Sequence, residues 1–210
     1  MYSAVVAFIA GALILGSVAI SQRAYALVER WAGRWEVEAL MDRDPGSDSD
    51  EPIAARSWIP IQDTPAMRMT WEATLHVPPH LLGLMSAENN PTSTNASGIY
   101  TFKMTKSVPS YLIALAVGRL EFHAFDERTG VYAEPELMED AAWELQYLPE
   151  MVDVAERIIA PYPFVRYDLL LMPPTFGAGG MEHPMLNFIN PFSVVTSNDP
   201  ARPEPRALIA

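Results

Sequence analysis

The chain has 210 residues, half of them hydrophobic, with a net charge of −12 and no cysteine. That length holds one large domain or parts of two and allows a sizeable buried core. The acidity excludes nucleic acid as a partner, the missing cysteines exclude disulfides, a thiolate nucleophile and cysteine-bound metal, and nineteen prolines are too many for a helical bundle.

Ala4 to Ile20 is an uncharged apolar run, at the short edge of what spans a bilayer core of ~30 Å. No Lys or Arg precedes it, whereas Arg23, Arg30 and Arg34 follow. That order opposes a secretory signal, although Ala24-Tyr25-Ala26 has the form of a cleavage site. The positive-inside bias puts the arginine side in the cytoplasm. A buried helix or a misplaced start codon gives the same string, so the location stays open between membrane-associated and cytoplasmic. Ala24, Leu27, Val28, Trp31 and Trp35 recur at helical spacing, so residues 1–41 are expected to be an apolar or amphipathic helical segment. Residues 42–52, acidic and rich in turn formers, are expected to be a linker.

From Met67 to Val77 apolar and polar residues alternate, the pattern of a half-buried strand with one wet face. His76 falls on the wet face, and His80 lies beyond Pro78-Pro79, which end the strand. Leu81–Ser86 is a short strand candidate, and Glu88–Ser97 reads as a hairpin-type loop containing the sequon Asn95-Ala96-Ser97. Ile99–Thr105 and Tyr111–Phe125 supply two more strands, with His123 near the end of the second. A turn at Asp126–Gly130 leads to a brief strand, Val131–Ala133. Pro135 then opens a helix whose apolar face carries Leu137, Ala141, Leu145, Leu148, Met151, Val152, Ala155 and Ile158, with a break or kink at Pro149. The change from all-β texture to helix and buried strand places a domain boundary near Asp126.

Apolar Tyr167–Met172 reads as a buried strand that runs into Pro173-Pro174-Thr175-Phe176-Gly177-Ala178-Gly179-Gly180-Met181-Glu182-His183-Pro184. Glycine lets backbone approach a ligand closely, and a carboxylate beside such backbone grips a cation. Taken on spacing alone, the same residues describe a glycine-rich surface loop with a solvated Glu182.

Gly179-Gly180-Met181-Glu182 resembles the G-x-M-E-N exopeptidase signature of the large zinc aminopeptidase family, and the leukotriene hydrolase/aminopeptidase branch in particular. Ile61–Pro65, Val108–Gly118 and Tyr167–Pro174 resemble the same family in the same order. The resemblance covers about Arg56 onward. It implies a mixed β and α+β fold: part of an antiparallel, saddle-like β domain over 53–125, followed by the start of a thermolysin-like catalytic domain over 126–210. It further implies that Glu182 binds the free α-amino group of a peptide substrate, and that the backbone of Gly179, Gly180 and Met181 lies along that substrate. Gln62 falls in a matching stretch and is assigned structure before catalysis. His183 replaces the signature's Asn and Ala178 replaces an aromatic, so both are candidate modulators of substrate preference.

The family's catalytic metal is zinc, held by H-E-x-x-H and a downstream Glu. No His in this sequence is followed by Glu, and no H-x-x-E-H occurs. Arg206–Ala210 looks like the first turn of the helix that carries the motif in the family. The expectation is therefore an amino-terminal fragment that ends before the zinc site, with the carboxy-terminal catalytic portion missing, no catalytic residues of its own and no zinc bound. The alternative is a non-catalytic, membrane-tethered β module that binds peptide amino termini or a partner chain.

Overall fold

The computed structural model describes residues 61–62, 64–88, 93–173 and 179–191, together with strand backbone between 13 and 41. The chain divides into two compact units, Met1–Arg119 and Leu120–Ala210.

The strands of the first unit are β1 (Leu13–Ile14), β2 (Ser17–Ile20), β3 (Ala24–Trp31), β4 (Arg34–Met41), β5 (Arg68–His76), β6 (Leu82–Met85), β7 (Ile99–Pro109) and β8 (Leu115–Gly118). Six of them form one sheet in the order β1-β2-β3-β4-β5-β7, while β6 and β8 pair separately. All of these pairs are antiparallel except β4 with β5, which is parallel.

The helical reading of residues 1–41 is thereby corrected. From Arg34 onward Trp35, Val37, Ala39 and Met41 alternate with Glu36 and Glu38. That period of two, with Tyr, Val and Trp present, favours extended chain over helix. Trp31 pairs with Arg34, so only two residues join β3 to β4, a hairpin connection. β1 and β2 fall inside the apolar run 4–20, and no helix among the described residues is long and apolar enough to cross a membrane. The expected linker at 42–52 lies outside the described residues.

β5 has the anticipated wet face: Arg68, Thr70, Glu72 and His76 are exposed and Leu75 is buried. His80 is also exposed. The loop over Glu88–Ser97 does not close a hairpin, because β6 pairs with β8 while β7 pairs with β5. β6 and β8 are buried along their whole length. Gly83 of β6 faces Leu75 and Tyr100, which are buried with Phe102 and Met104. Gly98 has φ +65°, and a Cβ there would collide with the Val77 carbonyl oxygen, so only glycine fits this corner.

The expected strand Tyr111–Phe125 is not continuous. A 3-10 turn occupies Ser110–Leu112, β8 ends at Gly118, and the next strand starts at Glu121. The boundary lies at Arg119/Leu120 rather than near Asp126. An almost unbroken apolar run hides this change of sheet, because periodicity does not show which neighbour a buried strand pairs with.

The second unit contains β9 (Glu121–Ala124), β10 (Thr129–Ala133), α1 (Pro135–Glu144), α2 (Leu148–Ile158), β11 (Tyr167–Leu171), β12 (Gly180–Met181) and β13 (Asn187–Ile189). Its sheet runs β12-β13-β11-β10-β9, with β10–β11 and β11–β13 parallel and the two outer pairs antiparallel. Both helices sit in the β10–β11 crossover, as parallel pairing requires a long connection. Pro135 and Pro149 each stand in the first turn of a helix, so Pro149 starts α2 rather than kinking a longer one. The core joins Val131, Ala133, Ala141, Leu145, Leu148, Val152, Leu169, Leu171 and Ile189. Cutting a side chain such as Leu169 back to Ala costs about 2–5 kcal/mol. The helix face stops short of its expected end, since Ala155 is exposed and Ile158 is 77% exposed.

The β9–β10 turn is fixed by Asp126, whose Oδ1 accepts from the Arg128 and Thr129 amides at 2.8 and 2.6 Å and from the Thr129 hydroxyl at 2.7 Å. Burial pushes this carboxyl up, but the three donors hold it below its ordinary value. At Gly130 a Cβ would strike the Phe122 ring and approach the His123 carbonyl oxygen to 2.9 Å.

Candidate substrate-amine site

β11 delivers the chain to the glycine-rich segment, and β13 carries it back. Pro174–Ala178 lie outside the described residues, so the candidate modulator Ala178 has no structural account. From Gly179 the path is fixed. The Asn190 amide donates to the Gly179 carbonyl at 3.1 Å, and Met172 donates to Ile189 at 2.9 Å. Gly180 and Met181 pair with Ile189 and Phe188. A Cβ on Gly180 would lie 3.0 Å from the Phe188 carbonyl oxygen, whereas one on Gly179 would meet nothing within 4 Å. Close backbone approach therefore favours glycine at 180 and leaves 179 open.

Glu182 is exposed and His183 is fully buried. Neighbouring residues on extended chain point to opposite sides. The His183 ring thus packs edge-on against Phe188, with centroids 4.5 Å apart and planes at 66°. The structure puts this imidazole in the interior, not on the surface where the Glu182 carboxylate lies. Gln62 is exposed in the segment that leads to β5.

After His183 the chain turns sharply. Leu186 donates to the His183 carbonyl at 3.2 Å, Pro184 takes the second turn position and Met185 has φ 64°. A type II turn needs positive φ at its third residue, normally Gly. An L side chain there costs roughly 1–2 kcal/mol. Met185 is nevertheless 97% buried, being only 3% exposed, so the surrounding packing enforces the conformation. Its amide donates to the Tyr162 hydroxyl at 3.4 Å. Burial raises the Tyr162 phenol to about 12, which keeps it protonated at neutral pH. The Tyr162 amide donates to Glu156 Oε1 at 2.8 Å, and Arg128 grips the same carboxylate at 2.7 and 3.1 Å. Arg128 holds the Glu156 carboxyl below its ordinary value. Sequence reasoning passed over Tyr162 and Met185. Pro184 was the available turn signal.

Below the turn, Asp168 on β11 is almost wholly buried and bound by Arg166 through two 2.8 Å contacts. Burial pushes the Asp168 carboxyl up, and the guanidinium only partly offsets that. No group of three or more His, Asp or Glu among the described residues is placed to hold a metal. His76, His80 and His123 are exposed and His183 is interior.

Residues 49–112 match the peptidase M1 N-terminal domain. Over 140 residues, 65% of this chain and 23% of the relative, the sequence is 43% identical to leukotriene A-4 hydrolase of Xenopus laevis. It is 39% identical to aminopeptidase B of Mus musculus over 140 residues, 66% of this chain and 21% of that protein. The structure of yeast LTA4 hydrolase in complex with bestatin superposes with a TM-score of 0.63 at 34% identity, covering 69% of this chain and 22% of that one. The chain therefore spans less than a quarter of the length of these relatives. Residues 49–112 thus match the peptidase M1 N-terminal domain, and about two thirds of the chain is similar in sequence to leukotriene A-4 hydrolase and aminopeptidase B.

Proposed function

We propose that this chain is the amino-terminal part of a zinc metallo-aminopeptidase, and that Gly179–Glu182 receives the free amino end of a peptide substrate. The carrying observation is that Glu182 is exposed directly after Gly180 and Met181, which pair with β13, and is followed at once by the buried His183. A carboxylate so held offers an ammonium group a charge-assisted hydrogen bond, while the Gly180–Met181 backbone provides an extended edge for the peptide. In this reading the first unit is the later part of a saddle-like β domain and the second is the opening of a thermolysin-like catalytic domain. The residues present do not fit zinc: neither the sequence nor the described side chains offer a ligand set. Hydrolysis is therefore assigned to polypeptide beyond the segment seen here, and no bond-breaking step is assigned to these residues.

The coding sequence after Ala210 is the first check, with an H-E-x-x-H in frame or behind a frameshift as the expected result. The protein restored through that motif is then assayed on aminoacyl p-nitroanilides. A hydrogen bond to a charged group is worth about 1.5–3 kcal/mol, so Glu182→Gln is expected to lower kcat/KM about 10- to 150-fold. An unchanged kcat/KM removes Glu182 from amine recognition.

A further inference from the structure

We propose that the His183–Leu186 turn, tied by the Tyr162 hydroxyl, is a pedestal that aims the Glu182 carboxylate, which makes Tyr162 and Met185 positioning residues. The proposal rests on the reading of Glu182 as the amine-binding group. His183, Met185 and Leu186 are each at most 3% exposed, so Glu182 is the solvent-facing side chain at the entrance to a turn otherwise sunk in the interior. The backbone before Glu182 is pinned by β12–β13 pairing, and the backbone after it by the Leu186–His183 hydrogen bond. Met185 stands at φ 64° where the turn calls for glycine. A conformation of that kind persists only where its surroundings hold it.

One such hold is the Tyr162 oxygen, which accepts from the Met185 amide. Tyr162 is itself seated at two levels. Its ring lies 5.5 Å from Phe164 and 5.3 Å from Tyr167. Its amide is held by Glu156, which Arg128 clamps from the β9–β10 turn. The hold thus runs from a rigid turn, through the end of α2, to the backbone three residues past Glu182. A carboxylate on a fixed backbone gives up less freedom when it meets an ammonium than one on a loose loop.

Tyr162→Phe removes one oxygen and leaves the ring in place. In the restored protein it is expected to raise KM for free-amine substrates about three- to tenfold with kcat unchanged. Binding of an N-acetylated dipeptide inhibitor, which offers no ammonium, should stay the same. A merely structural role would lower the active fraction and affect both ligands alike. Met185→Gly takes the same φ without strain but lets the turn leave it, and is expected to show the same split between ligands. It serves as the second handle if the phenylalanine variant folds poorly. Glu182→Gln is measured alongside. If it weakens amine-bearing ligands while Tyr162→Phe and Met185→Gly match the parent, the pedestal is overturned and the role of Glu182 stands. If Glu182→Gln also matches the parent, the role of Glu182 falls and the pedestal falls with it.

Discussion

Arg166→Met is the sharpest test of what holds the second unit together. The substitution keeps most of the aliphatic stem but removes both contacts to Asp168, whose side chain is 1% exposed. It also removes the donor to the Glu127 carbonyl at 2.7 Å and the guanidinium lying 5.5 Å from the Phe122 ring centroid. Breaking a buried pair from one side costs about 3–5 kcal/mol, mainly for the charge left behind. The lower half of that range applies, because Arg166 is itself 24% exposed and water partly screens the pair.

The pH dependence has a definite sign. Asp168 already has a carboxyl raised by burial, so the folded state binds its proton more tightly than the unfolded state. The resulting stability is fully present below the unfolded value and declines as pH rises through the folded one. Without Arg166 the folded value climbs further, so the variant should lose about 3 kcal/mol at pH 7 and distinctly less near pH 5. Arg166→Met/Asp168→Asn should recover much of the loss, since no buried charge remains. Hydrogen exchange of the β10 and β11 amides in urea reads these strands without requiring both units to unfold together. A loss below about 1 kcal/mol at pH 7, or equal losses at both pH values, refutes the reasoning.

Three further outcomes follow from the same structure. Gly130→Ala drives a methyl into the Phe122 ring and toward the His123 carbonyl oxygen, and should cost about 1–3 kcal/mol by melting or urea titration. Leu148, Met151, Val152, Ala155, Ile159 and Tyr162 line an apolar groove of about 290 Å³, and Ile159 and its chain neighbour Ile158 are 82% and 77% exposed. The double change Ile158→Glu/Ile159→Glu should reduce binding of an apolar dye while shifting stability by no more than about 0.5 kcal/mol. The 210-residue chain should melt at the same temperature with and without EDTA and carry less than about 0.1 zinc per chain by metal analysis. One tightly held zinc would contradict the ligand inventory.

Much of the second unit was legible in the sequence. Pro135 marked a helix start and the apolar run at Tyr167 marked a buried strand, whereas Pro149, which reads as a break or kink in one helix, opens a second one. β5 was equally plain, because alternation over its length has one interpretation. What stayed hidden was pairing. Trp31 and Trp35 suit a helical stripe, yet the Arg34–Met41 alternation fits a strand once β5 offers an edge. Tyr111–Phe125 concealed a break because the buried run through Gly118 passes directly into the alternation of exposed Arg119, Glu121 and His123, and neither pattern shows that the two parts pair in different sheets. At the candidate site the types of Gly180 and Glu182 carried the reading. The inward turn of His183 and the strain at Met185 depend on the return of β13, which no local pattern encodes.

The pairing of β9 with β10 decides where the chain can be divided. A cut at Asp126, the seam suggested by composition, would take β9 away from the sheet it completes. Phe122 would leave Tyr132, whose ring centroid lies 4.6 Å from its own, and the amides of β10 would become an open edge able to recruit strands from other molecules. A cut between Arg119 and Leu120 keeps that edge covered. It leaves β8 intact against β6 in the other piece, so each half retains the strands that its own sheets require.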